Sequence, residues 1–292
     1  MTRKVEILAT GALALVEDLG RPGLGATGVG RSGAADRRAL QLANRLVANP
    51  EDAAGIEVVF GGLAVRAHGL LTVALSGAPA PADVDGTPVG HHSLIVLRPG
   101  QTLRLGVPPT GLRTYLAVRG GIAVDPVLGS RSTDILSGLG PEKLTPGTML
   151  PIGVEPDALP LIDVAPVAVP PSGEVVLRAV AGPRAEFFTD VSTLTRTAWT
   201  ASSRSDRVGM RLEGEPLERA DSGELPSEGI VRGSVQVPPG GEPVLFLSDH
   251  PVTGGYPVAA VVLDADVDRA AQVRPGQRVR FVLVPPPWEE SP

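Results

Sequence analysis

Glycine and proline punctuate this chain too densely for long regular helices: 36 glycines and 30 prolines occur in 292 residues, roughly double ordinary usage. Glycine weakens the interior of helices and strands, and proline removes a backbone donor. Uninterrupted segments must therefore be short, and many short strands joined by turns are the predicted, all-β architecture. With 42% hydrophobic and 20% charged residues, the chain is too apolar and too weakly charged for disorder. Its length suits two domains, each with its own core. A net charge of −6 argues against nucleic acid or an anionic membrane as partner, since both require a clustered basic excess. The absence of cysteine removes thiol nucleophiles, thiolate metal ligands and disulfides, and suits a reducing compartment, so the cytoplasm is expected.

Nine runs have strand character: Glu57 to Phe60, Leu70 to Ser76, Ser93 to Leu97, Thr102 to Val107, Arg113 to Val118, Val175 to Val180, Val244 to Leu247, Val258 to Leu263 and Arg278 to Val284. Arg3 and Lys4 before the apolar run Ile7 to Val16 resemble a secretory leader. Glu6, the break at Thr10-Gly11 and the acids Glu17-Asp18 instead favour strand, turn and strand. No apolar stretch approaches the roughly 18 residues that span a bilayer. Helical spacing is convincing only from Ala35 to Ala48, stopped by Asn49-Pro50, with a shorter helix expected from Arg184 to Val191. Five prolines between Gly153 and Gly173 read as an extended connection. The expected organisation is therefore residues 1–152, a connection at 153–173, and residues 174–292. A faint echo, Pro99-Gly100-Gln101 against Pro275-Gly276-Gln277, hints at similar halves.

Gly23 to Gly28 and Gly28 to Gly33 both fit the dinucleotide fingerprint. That motif functions only inside a β-α-β unit with a parallel second strand, and helices do not alternate with the later strands. The only lysines, Lys4 and Lys143, lie neither in Gly-Lys-Ser/Thr nor between methionines, so no P-loop and no biotin carrier is present. His68, His91, His92 and His250 have no metal-ligand spacing and read as solvated. No nucleophile elbow occurs. What remains is a set of arginines beside carboxylates among glycines: Asp18 with Arg21, Arg31 with Asp36, Arg131 with Asp134, and Asp206 with Arg207 and Arg211. An arginine fork matches a carboxylate or a developing oxyanion, and an aspartate can orient it or accept an amide proton. Taken alone, each pair reads first as a structural ion pair. Ser130, Ser132, Gln236, Asp249 and the turn Thr253-Gly254-Gly255-Tyr256-Pro257 add polar groups suited to a cleft between the halves.

At these residues the sequence resembles the carboxyltransferase family that contains the C subunit of 5-oxoprolinase, the Kip antagonist and allophanate hydrolase subunit 2. The matching text includes Glu17 to Gly23, Ser32 to Asp36, Ala43 to Val47, Tyr115 to Gly121, Leu128 to Asp134, Ser205 to Leu212, Ser227 to Gly229, Gln236 to Pro238 and Thr253 to Pro257. Glu17 stands where the family usually has glutamine, and Val208 where it usually has methionine. The resemblance implies two cyclophilin-like β-barrel halves. It also implies a role as C subunit beside a B subunit (Kip inhibitor-like) and an A subunit, opening the cyclic amide of 5-oxoproline to L-glutamate with ATP. The alternatives it carries are carboxyl transfer from carboxybiotin, held on another chain, to a small amide such as urea, and non-catalytic antagonism of a B-like kinase inhibitor.

The candidate catalytic residues are Asp36, Asp206 and Arg207. Candidate substrate-binding residues are Arg21, Ser130, Arg131, Ser132, Arg211, Gln236, Thr253, Gly254 and Tyr256, and no metal is expected. Three expectations follow from the motifs. The chain alone is inactive, Arg21 forms a surface pair with Asp36, and one site draws on both halves.

Overall fold

The computed structural model describes residues 3–220 and 225–286. The chain forms two compact units. One comprises Met1–Pro22 and Ser32–Pro170, the other Gly23–Arg31 and Pro171–Pro292. All nine predicted strands are present, with boundaries within two residues.

In the first unit the strands form two sheets. One runs in the order Met149–Pro151, Lys4–Thr10, Leu63–His68, Thr102–Leu105, Ala82–Val84, Thr87–Val89. The second runs Leu13–Glu17, Gly55–Val59, Arg113–Val118, Leu71–Gly77, Leu94–Leu97. The leader-like segment is thus two strands, Lys4–Thr10 and Leu13–Glu17. Period-two alternation places Leu63, Val65 and Ala67 in the core while Arg66 and His68 face solvent. Core residues from both sheets, among them Ile7, Val16, Ile56, Val65, Leu75 and Leu116, form one cluster.

Helix α1, Arg37–Leu46, covers the opposite face of the second sheet, where Ala43, Leu46 and Val47 pack on Ala74 and Ala117. For that reason all six residues of Arg113–Val118 are buried. The helix is shorter than Ala35 to Ala48. Asp36 is its N-cap and accepts from Ala39 N at 3.0 Å, and left-handed Ala48 (φ 55°) ends it. Asn44 and Asn49 tie its C-terminal end down: Asn49 Nδ2 donates to Asn44 Oδ1 and to Val118 O, and Gly120 N donates to Asn49 Oδ1. Arg119 Nη1 donates to Val47 O at 2.9 Å. The motifs Ala43 to Val47 and Tyr115 to Gly121 therefore meet to dock a helix. The strand after the helix, Gly55–Val59, pairs antiparallel with Leu13–Glu17, so the dinucleotide reading fails on its requirement for a parallel neighbour.

The second unit is a closed barrel: Val175–Ala181, Val258–Val262, Ser234–Gln236, Val244–Phe246, Gly209–Glu213, Trp199–Ala201, Arg278–Leu283. The last strand closes the ring by pairing parallel to the first, Val175 opposite Val279 through Ala179 opposite Leu283. Trp199, Leu177, Leu212, Leu245 and Phe281 fill its interior. The helix expected from Arg184 to Val191 is only a 3₁₀ turn at Ala185–Phe187. Helix α2 is one turn further on, Thr193–Arg196. Helix α3, Asp264–Ala270, was not expected. Its first turn carries Asp264 and Asp266, favourable at a helix N-terminus, and Asp266 also takes the Arg178 guanidinium at 2.9 Å.

Candidate functional site

Asp18 follows directly on the strand Leu13–Glu17, and its carboxylate is the hub of a buried network. Oδ1 accepts from Gly20 N (2.7 Å), Ser130 Oγ (2.6 Å) and Ser132 Oγ (2.6 Å), and Oδ2 accepts from Arg131 N (2.6 Å). The serine oxygens in turn accept backbone amides, Ser130 Oγ from Ser132 N and Ser132 Oγ from Asp18 N. Ser130 and Ser132 are fully buried. Their hydroxyl protons are committed to Asp18, so they hold the loop in place.

Arg21, four residues beyond the strand, is not the surface residue expected. It is 2% exposed, makes no ion pair with Asp18, and donates through Nη2 to Ser132 O at 2.6 Å and through Nε to Val127 O at 3.4 Å. Nη1 is buried and makes no hydrogen bond. Gly140 permits this close passage, because a Cβ there would lie 2.0 Å from Ser132 O and 3.3 Å from Arg21 Nη2. The expected pair Arg131 with Asp134 is also absent. Arg131 Nε donates to Val124 O (2.7 Å), and Asp134 Oδ1 accepts the amides of Leu136 and Ser137.

The motif Ser32 to Asp36 packs against the Asp18 segment: Ala34 N donates to Asp18 O at 2.9 Å. A Cβ on left-handed Gly33 would lie 2.7 Å from Gly20 N, so glycine is required at that crossing. Beneath it lies a network the sequence reading missed. Tyr115 Oη donates to Glu57 Oε2 (2.6 Å) and accepts from Asp36 N (2.7 Å), while Ala35 N donates to Glu57 Oε2 (2.9 Å). Burial, then the Glu57 and Asp36 charges, pushes the Tyr115 phenol well above its ordinary value, so it remains a donor. Glu57 faces Tyr115 in register, and a lone carboxylate inside Gly55-Ile56-Glu57-Val58-Val59 was its only trace in the sequence. Asp36, buried as the helix cap, belongs to this framework.

In the second unit Asp206 and Arg207 point to different partners. Exposed Asp206 accepts the amides of Val208 (2.8 Å) and Gly209 (3.1 Å) through Oδ1. Arg207 is buried and forks onto buried Asp249, Nε to Oδ2 at 2.9 Å and Nη2 to Oδ1 at 3.1 Å. Gln236 Nε2 donates to Tyr256 O at 3.0 Å. A Cβ on Gly254 would lie 2.6 Å from that nitrogen. Arg211, Thr253 and Tyr256 are exposed. By strand register, Gly209 lies opposite Phe246 whereas Gln236 lies opposite Val244 and Val258. The barrel therefore presents the Asp206 to Gly209 turn at one end of its strands and Gln236 with Tyr256 at the other.

The histidines are not all solvated. His92 is buried, and His91 Nε2 accepts from Ala80 N at 3.1 Å. Burial and the neighbouring His92 push the His91 pKa down to about 4. Among the described residues no group of three histidines or acids could hold a metal ion, and no helix is long and apolar enough to cross a membrane. A cleft of about 460 Å³ opens along Leu94 to Arg98 of the first unit and includes none of the expected site residues.

A mainly β chain with two β units and these motifs defines a class. Residues 27–283 match the carboxyltransferase domain, subdomains A and B, and the chain belongs to that family. It is 38% identical to the C subunit of 5-oxoprolinase from Escherichia coli over 95% of this chain and 90% of that one. Against the protein of the same name from Haemophilus influenzae it is 34% identical over 96% and 91%. The crystal structure of the Kluyveromyces lactis urea carboxylase superposes with a TM-score of 0.91 at 28% identity, covering 96% of this chain and 27% of that enzyme. In another solved relative, with a TM-score of 0.87, this chain spans 56% of the length.

Proposed function

We propose that this chain is the C subunit of an ATP-dependent 5-oxoprolinase-type complex that opens the cyclic amide of 5-oxoproline to L-glutamate together with A and B subunits. The observation that carries this reading is the extent of the match to proteins of that name, 38% identity over 95% of this chain and 90% of the relative. Length is shared as well as motif. Opening an amide requires donors for the oxygen that gains charge, and the substrate's own carboxylate calls for a cation. Arg21 supports such a role, since its Nη1 is uncommitted. Arg131, Asp206, Arg211, Thr253 and Tyr256 supply the remaining polar groups. Ser130, Ser132, Asp36 and Arg207 hold the framework, and Gln236 and Gly254 shape the Tyr256 turn. No Gly-Lys-Ser/Thr loop is present in the sequence, and ATP is handled by the complex through its other subunits.

A second reading, carboxyl transfer to a small amide, is favoured by the TM-score of 0.91 with urea carboxylase. In that case biotin arrives on another chain, because neither Lys4 nor Lys143 lies between methionines. Release of glutamate from 5-oxoproline and ATP, measured for the purified chain alone and with A and B subunits added, tests the first reading. Turnover should require all three. Turnover by the chain alone, or a complete mixture that converts only urea in the presence of carboxybiotin, would contradict it.

A further inference from the structure

The segment between Asp157 and Val169 carries six exposed large hydrophobic side chains within thirteen residues. Leu159, Leu161, Ile162, Val164, Val167 and Val169 are between 42% and 95% exposed, Leu161 most of all. Scattered surface hydrophobics need no explanation, but a contiguous run of this kind marks an interaction surface.

The run is also held in shape. Arg119, itself 5% exposed, donates through Nη2 to Pro156 O (2.5 Å) and Ala158 O (2.6 Å). Further along, Leu94 N donates to Asp163 O (3.2 Å) and Ala165 N to His92 O (2.8 Å), which fastens the segment to the free edge of the second sheet. Beyond it, where the second unit begins, Gln277 Nε2 donates to Pro171 O and Gly173 O. Prolines at 156, 160, 166 and 170 restrict it further. An apolar ribbon fixed in advance loses little conformational freedom when a partner covers it.

Charge selects the occupant. No lysine or arginine occurs from Gly153 to Gly173, and Glu155 is engaged by Arg3 and Arg119. Asp157 and Asp163 are then the charges the ribbon presents. A second copy of this chain fits poorly, since two-fold pairing of ribbon on ribbon sets acid against acid. We infer that residues 157–169 are the docking surface for a companion subunit whose apolar groove is rimmed by lysine or arginine. The inference rests on the proposed role as a subunit of a complex. Its domain-sized relatives are named as subunits, and the same fold makes up 27% and 56% of longer chains.

The test is binding of the full chain to purified A and B subunits, by calorimetry, with thermal unfolding of each variant alongside. The double variant Leu161→Asp, Ile162→Asp should weaken binding at least 100-fold while its unfolding midpoint stays put. Asp163→Lys should weaken it less and flatten its dependence on salt, since the ribbon's net charge then falls to zero. Val107→Asp, at an exposed apolar residue in the loop that follows Thr102–Leu105 of the other sheet, should bind as the wild type. Wild type that binds neither subunit would overturn the proposed function and this surface with it. If the wild type binds and the double variant binds within twofold of it, only the surface is overturned. Self-association of the wild type that the double variant abolishes would assign the ribbon to a second copy and overturn the inference.

Discussion

Arg21 and Arg207 are both among the largest fully buried side chains of this protein, and each stands within three residues of an aspartate. Neither pairs with that neighbour. Arg207 reaches the carboxylate of Asp249, 42 residues away, through two hydrogen bonds. Arg21 rests on two backbone carbonyls and keeps Nη1 unbonded, while Asp18 spends its carboxylate on two serines and two amides. A buried charge with a carboxylate partner fixes a fold, whereas a buried charge without one is a standing cost that function can explain. The first unit thus carries an unspent cation under a loop, and the second carries a closed lock at the base of a turn.

The comparison is broken most severely at Asp249. Asp249→Ala removes the carboxylate onto which the buried Arg207 guanidinium forks, and should lower the unfolding free energy by about 3–5 kcal/mol in urea titrations. The paired replacement Arg207→Met, Asp249→Leu should recover most of that loss, because a buried ion pair is weak evidence of net stabilisation. A cost below about 1 kcal/mol for Asp249→Ala would show that Arg207 finds other compensation.

His91 sharpens the contrast at smaller scale. It is half-buried beside His92 and has no carboxylate among its hydrogen-bond partners, but imidazole can shed its proton, and its pKa falls to about 4. Arginine has no such escape. A histidine that is neutral when folded and protonated when unfolded makes stability fall as pH drops from about 6.5, the ordinary value, towards 4. His91→Gln should flatten that slope between pH 6.5 and 4. An unchanged slope would place the titration elsewhere.

Much of the fold was legible because strand periodicity and turn chemistry are local. The faint echo between the halves is a case in point. Arg98-Pro99-Gly100-Gln101 and Arg274-Pro275-Gly276-Gln277 fold into the same turn, with glycine φ of 88° and 82°. In both, the glutamine Oε1 accepts the arginine N–H, at 2.9 Å and 3.0 Å. Proline at the second position and a left-handed glycine at the third dictate that turn wherever they occur. Helix α3 escaped notice because its acids follow an apolar strand without a break.

The candidate site was legible in its residue types and not in its pairings. Asp18, Arg21, Arg131, Asp206 and Arg207 stood out in the sequence. Which carboxylate meets which guanidinium depends on contacts such as Ser132 with Asp18 and Asp249 with Arg207, separated by 114 and 42 residues. Proximity in sequence suggested four ion pairs, and at Asp18, Asp134 and Asp206 the short side chains found nearer backbone amides instead. Glu57 and Tyr115 were hidden for the same reason, as they meet only across paired strands.

The most direct test of this account is Arg21→Met in the proposed complex, reconstituted with A and B subunits, with turnover and unfolding midpoint measured on the same preparation. Methionine removes the donor to Ser132 O and Val127 O but also a buried charge without a carboxylate, so the midpoint should fall only modestly, while loss of an oxyanion or carboxylate donor should lower kcat by about 10²-fold. Turnover within a few-fold of wild type, or a variant that no longer folds, would return Arg21 to the structural framework alongside Arg207.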